Sequence, residues 1–366
     1  MPRMIDKLDA ALGRTPGFLK LDVDYLSRRP GPDAMIGPDG TYNAGWYEGF
    51  TGAFNVGATN AFDLSFQTWF HLTIDTPERF IVCNLADLAK VGNTAILVSN
   101  KETEGFDHVS LTRVSPQVLL NVDETFRRFE DPTTHSVAVV SPDDQEVRFS
   151  IHAGALHLAG VARAAIAPPF VQITRFHRGR GSLQWYGNLE LEHGVLALGD
   201  TIIPLPRGAL CTYDRTMGHQ RGIQSWNWVA AVGMAVDEAT GRQARLAVQI
   251  ARDRPAARPV VLSQKYVVWV EGEVHKVASA AFEYDYTDEA AKETSPWRIY
   301  SPEPGESWVD LRFTPRFHRR DKKELVIATS DFNQYYGALT GRLKVGGRVW
   351  RLDEVFAVTE ESFLEL

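Results

Sequence analysis

Hydrophobic and polar residues alternate one by one through most of this chain, and a period of two is typical of β-strands. In the stretch 307–318 (SWVDLRFTPRFH), apolar residues occupy every second position from Val309 to Phe313 and alternate with Asp and Arg. The stretch 61–72 (AFDLSFQTWFHL) alternates in the same way. The Gly-Gly pair in 341–352 (GRLKVGGRVWRL) predicts a hairpin. Many short strands joined by tight turns predict an all-β protein built from sandwiches or barrels.

The N-terminal part of the chain departs from this pattern. A short helix is predicted around Ile5–Leu12, and the Pro- and Gly-rich run 28–40 (RRPGPDAMIGPDG) predicts an extended lead-in. Long amphipathic helices are not indicated elsewhere, and only short helical pieces are predicted near Leu85 and Asp288.

Two similar segments indicate an internal duplication. WYGNLELEHGVLALGDTIIPL begins at Trp185 and YYGALTGRLKVGGRVWRL begins at Tyr335, and both continue from an aromatic-Tyr-Gly start into a hairpin. A Trp-led strand precedes each segment, one beginning at Gly45 and the other at Ser225. The pattern predicts two copies of one β unit, with a boundary near 205–213.

Composition is that of an ordinary soluble protein, with 366 residues, 44% hydrophobic and 23% charged. The net charge of −7 is spread along the chain, which argues against nucleic acid as a partner. Cys83 and Cys211 form neither a metal spacing nor a disulfide framework. The N-terminus carries charges where a signal peptide needs its apolar core, and no apolar run reaches the length of an integral membrane segment. We therefore expect a cytoplasmic protein.

The segment YDRTMGHQRGIQSWNWV, which begins at Tyr213, concentrates the residues best suited to catalysis. A neutral acid at Asp214 beside Tyr213 would protonate an alkene or a leaving hydroxyl group. His219 is a candidate base, and Arg215 or Arg221 is a candidate to hold an anion or to orient the Asp. The competing interpretation is a surface turn, because Asp favours turns and pairs with Arg.

Aromatic residues indicate where an apolar ligand would bind. Trp226 and Trp228 share one strand face and would line a pocket that stacks on an unsaturated ligand or stabilises a carbocation. The alternative is that both belong to a barrel core. Glu48 shares a face with Trp46, and a carboxylate on an aromatic face must be paired, protonated or at a pocket. The alternative here is the outer face of an edge strand.

Other chemistry is weakly indicated. His152 and His157 are five residues apart, so a regular strand would point them to opposite faces, and no metal site is expected. His318 is predicted at a solvated strand end. Glu283 and Asp285 share a face that is better interpreted as solvated surface. The chain contains no phosphate loop, dinucleotide-binding glycine motif or nucleophile elbow.

Three stretches, GWYEGF, YDRTMGHQRGIQSWNWVAAVG and QYYGALTGRLKVGGRVWRLDEVFAVTEE, resemble a bacterial family related to hydroxyneurosporene synthase (carotenoid hydratase) and AttH-type proteins. The resemblance runs from about Tyr42 onward. These relatives often carry an Asp-x-Ser-Trp-Gly-like motif at the start of their second barrel. Here DRTMG keeps Asp214 and Gly218, while Thr216 and Met217 replace the Ser-Trp pair.

The resemblance implies an all-β fold of two tandem lipocalin-like antiparallel β-barrels. It divides the chain into a helical or extended lead-in over 1–40, a first barrel over 41–208 and a second barrel over 209–366. It also implies chemistry without a metal or redox cofactor.

For function, the resemblance implies a cofactor-independent lyase or isomerase of hydratase, dehydratase or cyclase type. Its substrate would be a lipophilic small molecule such as an isoprenoid or polycyclic compound. Asp214 would be the general acid, Tyr213 would support it by a hydrogen bond, and His219 would be a base or proton relay. The candidate substrate-binding residues are Trp46, Glu48, Trp226, Trp228, Arg221 and Tyr336.

Two other hypotheses remain open. A non-catalytic carrier or sensor of a lipophilic ligand would bind tightly and form no product. A glycan-related protein would use exposed aromatic residues such as Tyr284 and Tyr286 for sugar stacking. A homo-oligomer is compatible with all three hypotheses. A carboxylate that projects beside the Trp residues would favour the enzyme over the carrier.

Overall fold

The computed structural model describes residues 25–57, 63, 65–88, 91–103, 105–114, 120–176, 179–220, 223–253, 265–285, 289–325 and 328–365. The predicted helix at Ile5–Leu12 lies outside these residues. Within them no helix has the length and hydropathy of a membrane span.

In the described part of the chain the first sheet contains fourteen strands. They are β1 (Arg28–Arg29), β2 (Gly45–Tyr47), β3 (Phe66–Asp75), β4 (Arg79–Leu88), β5 (Val91–Asn100), β6 (Gly105–Val114), β7 (Asn121–Val122), β8 (Arg128–Asp131), β9 (Ser136–Val140), β10 (Glu146–Ala153), β11 (Leu156–Arg175), β12 (Gly181–Leu198), β13 (Thr201–Leu205) and β14 (Leu210–His219). Their main order is β6-β5-β4-β3-β14-β12-β11-β10-β9-β8-β7, with β2 paired to β1 and β11, and β13 paired to β12.

The second sheet contains nine described strands in the order β18-β17-β16-β15-β23-β22-β21-β20-β19. They are β15 (Ile223–Asp237), β16 (Gln243–Asp253), β17 (Lys265–Val270), β18 (Glu273–Lys276), β19 (Ala281–Glu283), β20 (Trp297–Tyr300), β21 (Trp308–Leu325), β22 (Ala328–Val345) and β23 (Arg348–Glu365). One short helix, α1 (Glu289–Thr294), precedes β20.

The predicted all-β class is confirmed, because two curled antiparallel half-barrel sheets account for most of the described residues. The helical piece predicted near Asp288 corresponds to α1, whose sequence EAAKET is rich in good helix formers. The helical piece predicted near Leu85 is wrong. Leu85 lies inside β4, where the run of apolar residues pairs with strands on both sides.

The predicted duplication is visible in the strand order. Four strands come first in reverse chain order, β6 to β3 in one sheet and β18 to β15 in the other. The last strand of the unit follows, β14 or β23, and then the long strands β12 and β11 or β22 and β21. The equivalent of β15 is therefore β3, which carries Trp69. The predicted correspondence between β15 and the strand at Gly45 is wrong, because β2 pairs with β11 at a different place in the sheet.

The two compact units are Arg29–Gln220 and the described part of Arg221–Leu366 together with residues 25–28. The division falls after Gln220 rather than after residue 208, because β14 pairs with β12 and β3 along its whole length. Residues 213–219 of the segment that begins at Tyr213 therefore complete the first sheet, and residues 223–229 begin the second.

Each long strand gives alternate residues to a hydrophobic core. In β14 the core residues are Cys211, Tyr213 and Met217, and in β15 they include Val229 and Ala231. We call the face of each sheet opposite its core the second face.

The second face is also buried in the middle of the first sheet, although its residues are polar. Thr212 and Thr216 of β14 and Gln184 of β12 are all almost inaccessible to solvent. Burial of polar side chains is costly unless they have hydrogen-bond partners. We therefore look for a functional site on this face.

The repeated Tyr-Gly dipeptide has a packing reason. A side chain at Gly187 would collide with the ring of Tyr213, its cross-strand partner. At the equivalent Gly337, a side chain would collide with the backbone of Thr314 on β21. Each sheet therefore needs a residue without a Cβ atom at this position.

Gly187→Ala is expected to destabilise the protein by about 1–3 kcal/mol, because a methyl group would displace the Tyr213 ring in a packed core. The measurement is the midpoint of thermal unfolding. Gly305→Ala is the matched control, since a methyl group there meets open space. Equal midpoints for the two variants would contradict the close packing of Tyr213 on Gly187.

Candidate functional site

Tyr213 and Asp214 lie on opposite faces of β14. Tyr213 is 1% exposed, stacks on Phe70 with ring centroids 6.3 Å apart, and its hydroxyl has no hydrogen-bond partner among the described residues. Burial raises the pKa of Tyr213 above its ordinary value. The predicted hydrogen bond from Tyr213 to Asp214 is therefore wrong, because neighbouring strand residues point in opposite directions.

Asp214 lies on the second face of the first sheet. Its carboxylate accepts hydrogen bonds from Trp69 Nε1 at 3.3 Å and from Thr216 Oγ1 at 3.0 Å. Its cross-strand partners are His71 on β3 and Tyr186 on β12. Because side chains that are directly opposite share a face, these five residues form one group around the carboxylate. We call this group the Asp214 site.

His71 adds a second titratable group to the Asp214 site. Burial lowers the pKa of His71 from 6.5 to about 4, so the imidazole is neutral at neutral pH. A neutral imidazole is able to accept a proton, whereas an imidazolium is not. His71 was not among the predicted site residues.

Aromatic rings continue the Asp214 site along the sheet. Phe170 on β11 stacks on Tyr186, with ring centroids 5.4 Å apart and an angle of 26° between the rings. Trp46 lies 6.3 Å from Phe170 and is buried. The predicted ligand-binding residue Trp46, on β2, therefore belongs to this aromatic row. Glu48, the predicted residue just after β2, has an exposed side chain.

Arg215 does not orient Asp214, because it lies on the core face. Its guanidinium donates to Phe126 O at 2.6 Å and to Asp144 Oδ1 at 2.7 Å, and its central carbon lies 3.9 Å above the Trp185 ring. Burial lowers the pKa of this fully enclosed Arg. Its role is to link β14 to the loop that carries Asp144.

His219, the predicted base, lies at the end of β14 and is held by other residues. Its Nδ1 is 2.9 Å from Tyr42 Oη, its Nε2 is 3.0 Å from Gly57 O, and its Nε2 is 3.5 Å from Asp63 Oδ2. The backbone N–H of His219 also donates to Tyr42 Oη, which leaves the Tyr42 hydroxyl to donate to Nδ1. None of these contacts involves Asp214.

Arg221, the other predicted ligand-binding Arg, lies outside the described residues.

The second sheet brings three predicted ligand-binding residues together around a carboxylate that was not predicted. Glu360 accepts hydrogen bonds from Trp226 Nε1 at 2.9 Å and from Gln334 Nε2 at 2.8 Å. Trp228 is the cross-strand partner of Glu360. Tyr336 donates to Gln334 Oε1 at 2.8 Å, so it joins the same network. Glu360 is only 6% exposed.

The two second faces correspond position by position. Trp69, Thr216 and Gln184 lie in one row across the first sheet, and Trp228, Glu360 and Gln334 lie in the equivalent row of the second sheet.

The neighbouring row contains a stacked Tyr-Phe pair in both sheets, Tyr186 with Phe170 and Tyr336 with Phe317. The carboxylates do not correspond, because Asp214 is equivalent to Val358 and Glu360 is equivalent to Thr216. The duplicated frame is therefore conserved between the two halves, while the position of the acid differs.

Three histidines and a tyrosine lie in surroundings that differ from those predicted. His152 and His157 do not point apart: they are cross-strand partners in the β10–β11 hairpin, and their rings stack 3.8 Å apart. His318 is not solvated, because it stacks on Tyr335 at 4.4 Å. Tyr284 is buried against Trp297, so it is not an exposed sugar platform.

Glu283 and Asp285 are exposed, as expected, and Tyr286 lies outside the described residues. The described residues include no group of three or more His, Cys, Asp or Glu side chains arranged to hold a metal ion.

Sequence reasoning missed Trp69, His71 and Glu360. Trp69 and His71 are two residues apart, so the sequence indicates that they share a strand face. It does not indicate that β14 is the strand that pairs with them. Glu360 lies in the run VTEESF, where neighbouring acids resemble solvated surface.

Residues 28–364 match the family described as a domain of unknown function, DUF2804, and the chain belongs to that family. The comparison with curated proteins finds no match. Among solved structures, CghA with Sch210972 is similar, with 12% identity, coverage of 81% of this chain and 87% of that chain, and a TM-score of 0.53.

Kievitone hydratase from Nectria haematococca shows 13% identity over 83% of this chain and 90% of that chain, with a TM-score of 0.48. A protein designated AttH from Nitrosomonas europaea shows 12% identity over 80% of this chain and 91% of that chain, with a TM-score of 0.49. At 12% identity the likeness to CghA concerns the fold alone. The suggested relation to carotenoid hydratase stays a prediction.

The low pKa of His71 predicts a specific pH dependence of stability. Between pH 6.5 and about 4 the unfolded chain binds a proton at His71 that the folded chain does not, so stability falls as the pH is lowered through this window. His71→Gln is expected to lose less thermal stability between pH 7 and pH 5 than the parent protein. Burial also raises the pKa of Asp75 to about 6, with an opposite effect that is common to both proteins. Equal losses would contradict the buried neutral state of His71.

Proposed function

We propose that this member of the DUF2804 family is a cofactor-independent lyase or isomerase of hydratase, dehydratase or cyclase type. Its substrate would be an apolar small molecule such as an isoprenoid or polycyclic compound. One observation carries the proposal: the Asp214 carboxyl group is hydrogen-bonded by the Trp69 indole and lies beside the stacked Tyr186–Phe170 pair. An acid beside aromatic faces has what alkene protonation requires.

In the hydration direction, Asp214 in its acid form gives its proton to one carbon of a carbon–carbon double bond. The π electrons form the new C–H bond, and the other carbon becomes a cation. A water molecule then forms a C–O bond to that cation, and its surplus proton returns to the Asp214 carboxylate. The sum is alkene plus water to alcohol, and dehydration is the reverse. In a cyclase, a second double bond of the substrate would replace water and form a C–C bond to the cation. The new cation would then lose a proton to the Asp214 carboxylate, so that the product is an isomer of the substrate.

The aromatic row would stabilise the cation in this scheme. The faces of Tyr186, Phe170 and Trp46 carry negative quadrupole charge, which attracts a cation by about 0.5–2 kcal/mol for each well-placed ring. These rings also exclude water, which limits unwanted capture of the cation. Their continuity with Asp214 along the second face supports an apolar rather than a strongly polar substrate.

His71 is the better candidate for a base than His219. Its position directly opposite Asp214 suits it to relay the proton of the attacking water to the Asp214 carboxylate, and burial keeps the imidazole neutral and able to accept that proton in passing. The contacts of His219 with Tyr42 and Gly57 suit a structural role at the end of β14 instead. Tyr213 has no part in the scheme, because it points into the core.

The second sheet supports a further ligand contact. Glu360 combines a carboxylate with the Trp226 indole in the same way as Asp214 combines with Trp69. We propose that Trp226, Trp228 and Tyr336 form a ligand-binding surface of the second sheet itself, as the sequence suggested.

The decisive variant is Asp214→Asn, which keeps the shape of the side chain and removes the transferable proton. Incubation with a panel of isoprenoid and polycyclic alkenes and alcohols, followed by mass spectrometry, would detect the gain or loss of water or an isomeric product. For a substrate found in this way, turnover by Asp214→Asn is expected to fall by about 10²–10⁴-fold.

Tyr213→Phe is the matched control and is expected to keep its turnover. Unaltered turnover in Asp214→Asn would show that another group is the acid. Tight binding of panel compounds with no product in the parent protein would favour the carrier hypothesis over the enzyme.

A further inference from the structure

Asn188 is a buried amide without a hydrogen-bond partner. It lies on β12, is 2% exposed, and neither its Nδ2 nor its Oδ1 atom has a partner among the described residues. Tyr186 and Gln184 precede it at alternate positions of the same strand, so all three belong to the second face. The cross-strand partner of Asn188 on β14 is Thr212.

Three buried polar residues close to Asn188 do have hydrogen-bond partners. Gln184 donates to Ser182 Oγ and accepts from Thr174 Oγ1 at 3.1 Å. The hydroxyls of Thr212 and Thr73 lie 2.7 Å apart and satisfy each other. A buried amide that lacks both bonds destabilises the folded protein, so its presence calls for an explanation in function.

The position of Asn188 points to the Asp214 site. Asp214 is two residues after Thr212 on β14, which makes it the diagonal neighbour of Asn188 on the same face. Diagonal neighbours in an antiparallel pair lie about 7–8 Å apart, a distance that a molecule of several carbon atoms spans. A ligand that presents a double bond to Asp214 therefore reaches Asn188 with a nearby group.

We infer that Asn188 binds a hydroxyl group of the substrate, and this inference rests on the proposed function. A hydroxyl donates one hydrogen bond and accepts others, so it satisfies both the Oδ1 acceptor and the Nδ2 donor of the amide. The substrate class is narrowed to apolar molecules that carry an alcohol in addition to the reacting double bond. Asn188 is then a specificity-determining residue, because a hydrocarbon without that hydroxyl leaves the amide unsatisfied.

The first test is thermal unfolding without any ligand. Asn188→Leu replaces the amide by an apolar group of similar shape, and it is expected to raise the midpoint by about 2–4 °C. The matched control is Asn93→Leu on β5, because the Asn93 amide donates to Ser110 at 2.8 Å and to Thr112 at 3.1 Å. That control is expected to lower the midpoint. A lowered midpoint in Asn188→Leu would overturn the inference, since the amide would then be stabilising the fold.

The second test measures binding of farnesol and of farnesene, its hydrocarbon counterpart, by tryptophan fluorescence. The parent protein is expected to bind farnesol roughly tenfold or more tightly than farnesene, and Asn188→Leu is expected to lose that preference. Equal binding of the two probes by the parent protein, or an unchanged preference in Asn188→Leu, would overturn the inference.

The two proposals fail separately. Asp214→Asn is expected to lose turnover and to keep the farnesol preference, because the probe hydroxyl contacts Asn188. Unaltered turnover in Asp214→Asn would refute the assigned acid. The unfolding midpoint of Asn188→Leu would still show whether the Asn188 amide stabilises the fold.

Discussion

Side chains alternate across a β-strand, and in this protein that constraint decides which residues are able to meet. It sends Tyr213 and Arg215 into the hydrophobic core of the first sheet and Asp214 to the opposite face. The carboxylate then meets Trp69 and His71 from β3 and Tyr186 from β12, which no local segment of the chain contains together. The chemistry proposed for the Asp214 site follows from this sorting of one strand into two faces.

The two sheets place the same kinds of residues at equivalent positions around the site, but their acids lie at different positions. Both sheets place a Trp and a Gln in one row and a stacked Tyr-Phe pair in the next. Glu360 occupies the position of Thr216, and Val358 occupies the position of Asp214. Packing therefore explains the repeated aromatic residues in both halves, whereas the acids lie at different positions in the two sheets.

Period-two alternation and the repeated Tyr-Gly hairpins were sufficient to predict an all-β, duplicated chain. They also grouped Trp226 with Trp228 correctly. They could not show which face of a strand lies in the core, because alternation separates the residues into two faces without indicating which face is buried. They also could not predict that β3 would bring Trp69 and His71 to Asp214, because that depends on pairing between strands about 140 residues apart. The stacked pair of His152 and His157 was missed for a similar reason: the chain turns between them, so strand parity did not apply.

In the proposed site, the ligand lies on the second face around Asp214. The most direct measurement is a crystal structure of the protein with an apolar molecule from the panel bound. The proposed site predicts electron density against Asp214, Asn188 and the Tyr186–Phe170 pair, with a ligand hydroxyl at the Asn188 amide. Density on the core face, beside Tyr213 and Arg215, would contradict it.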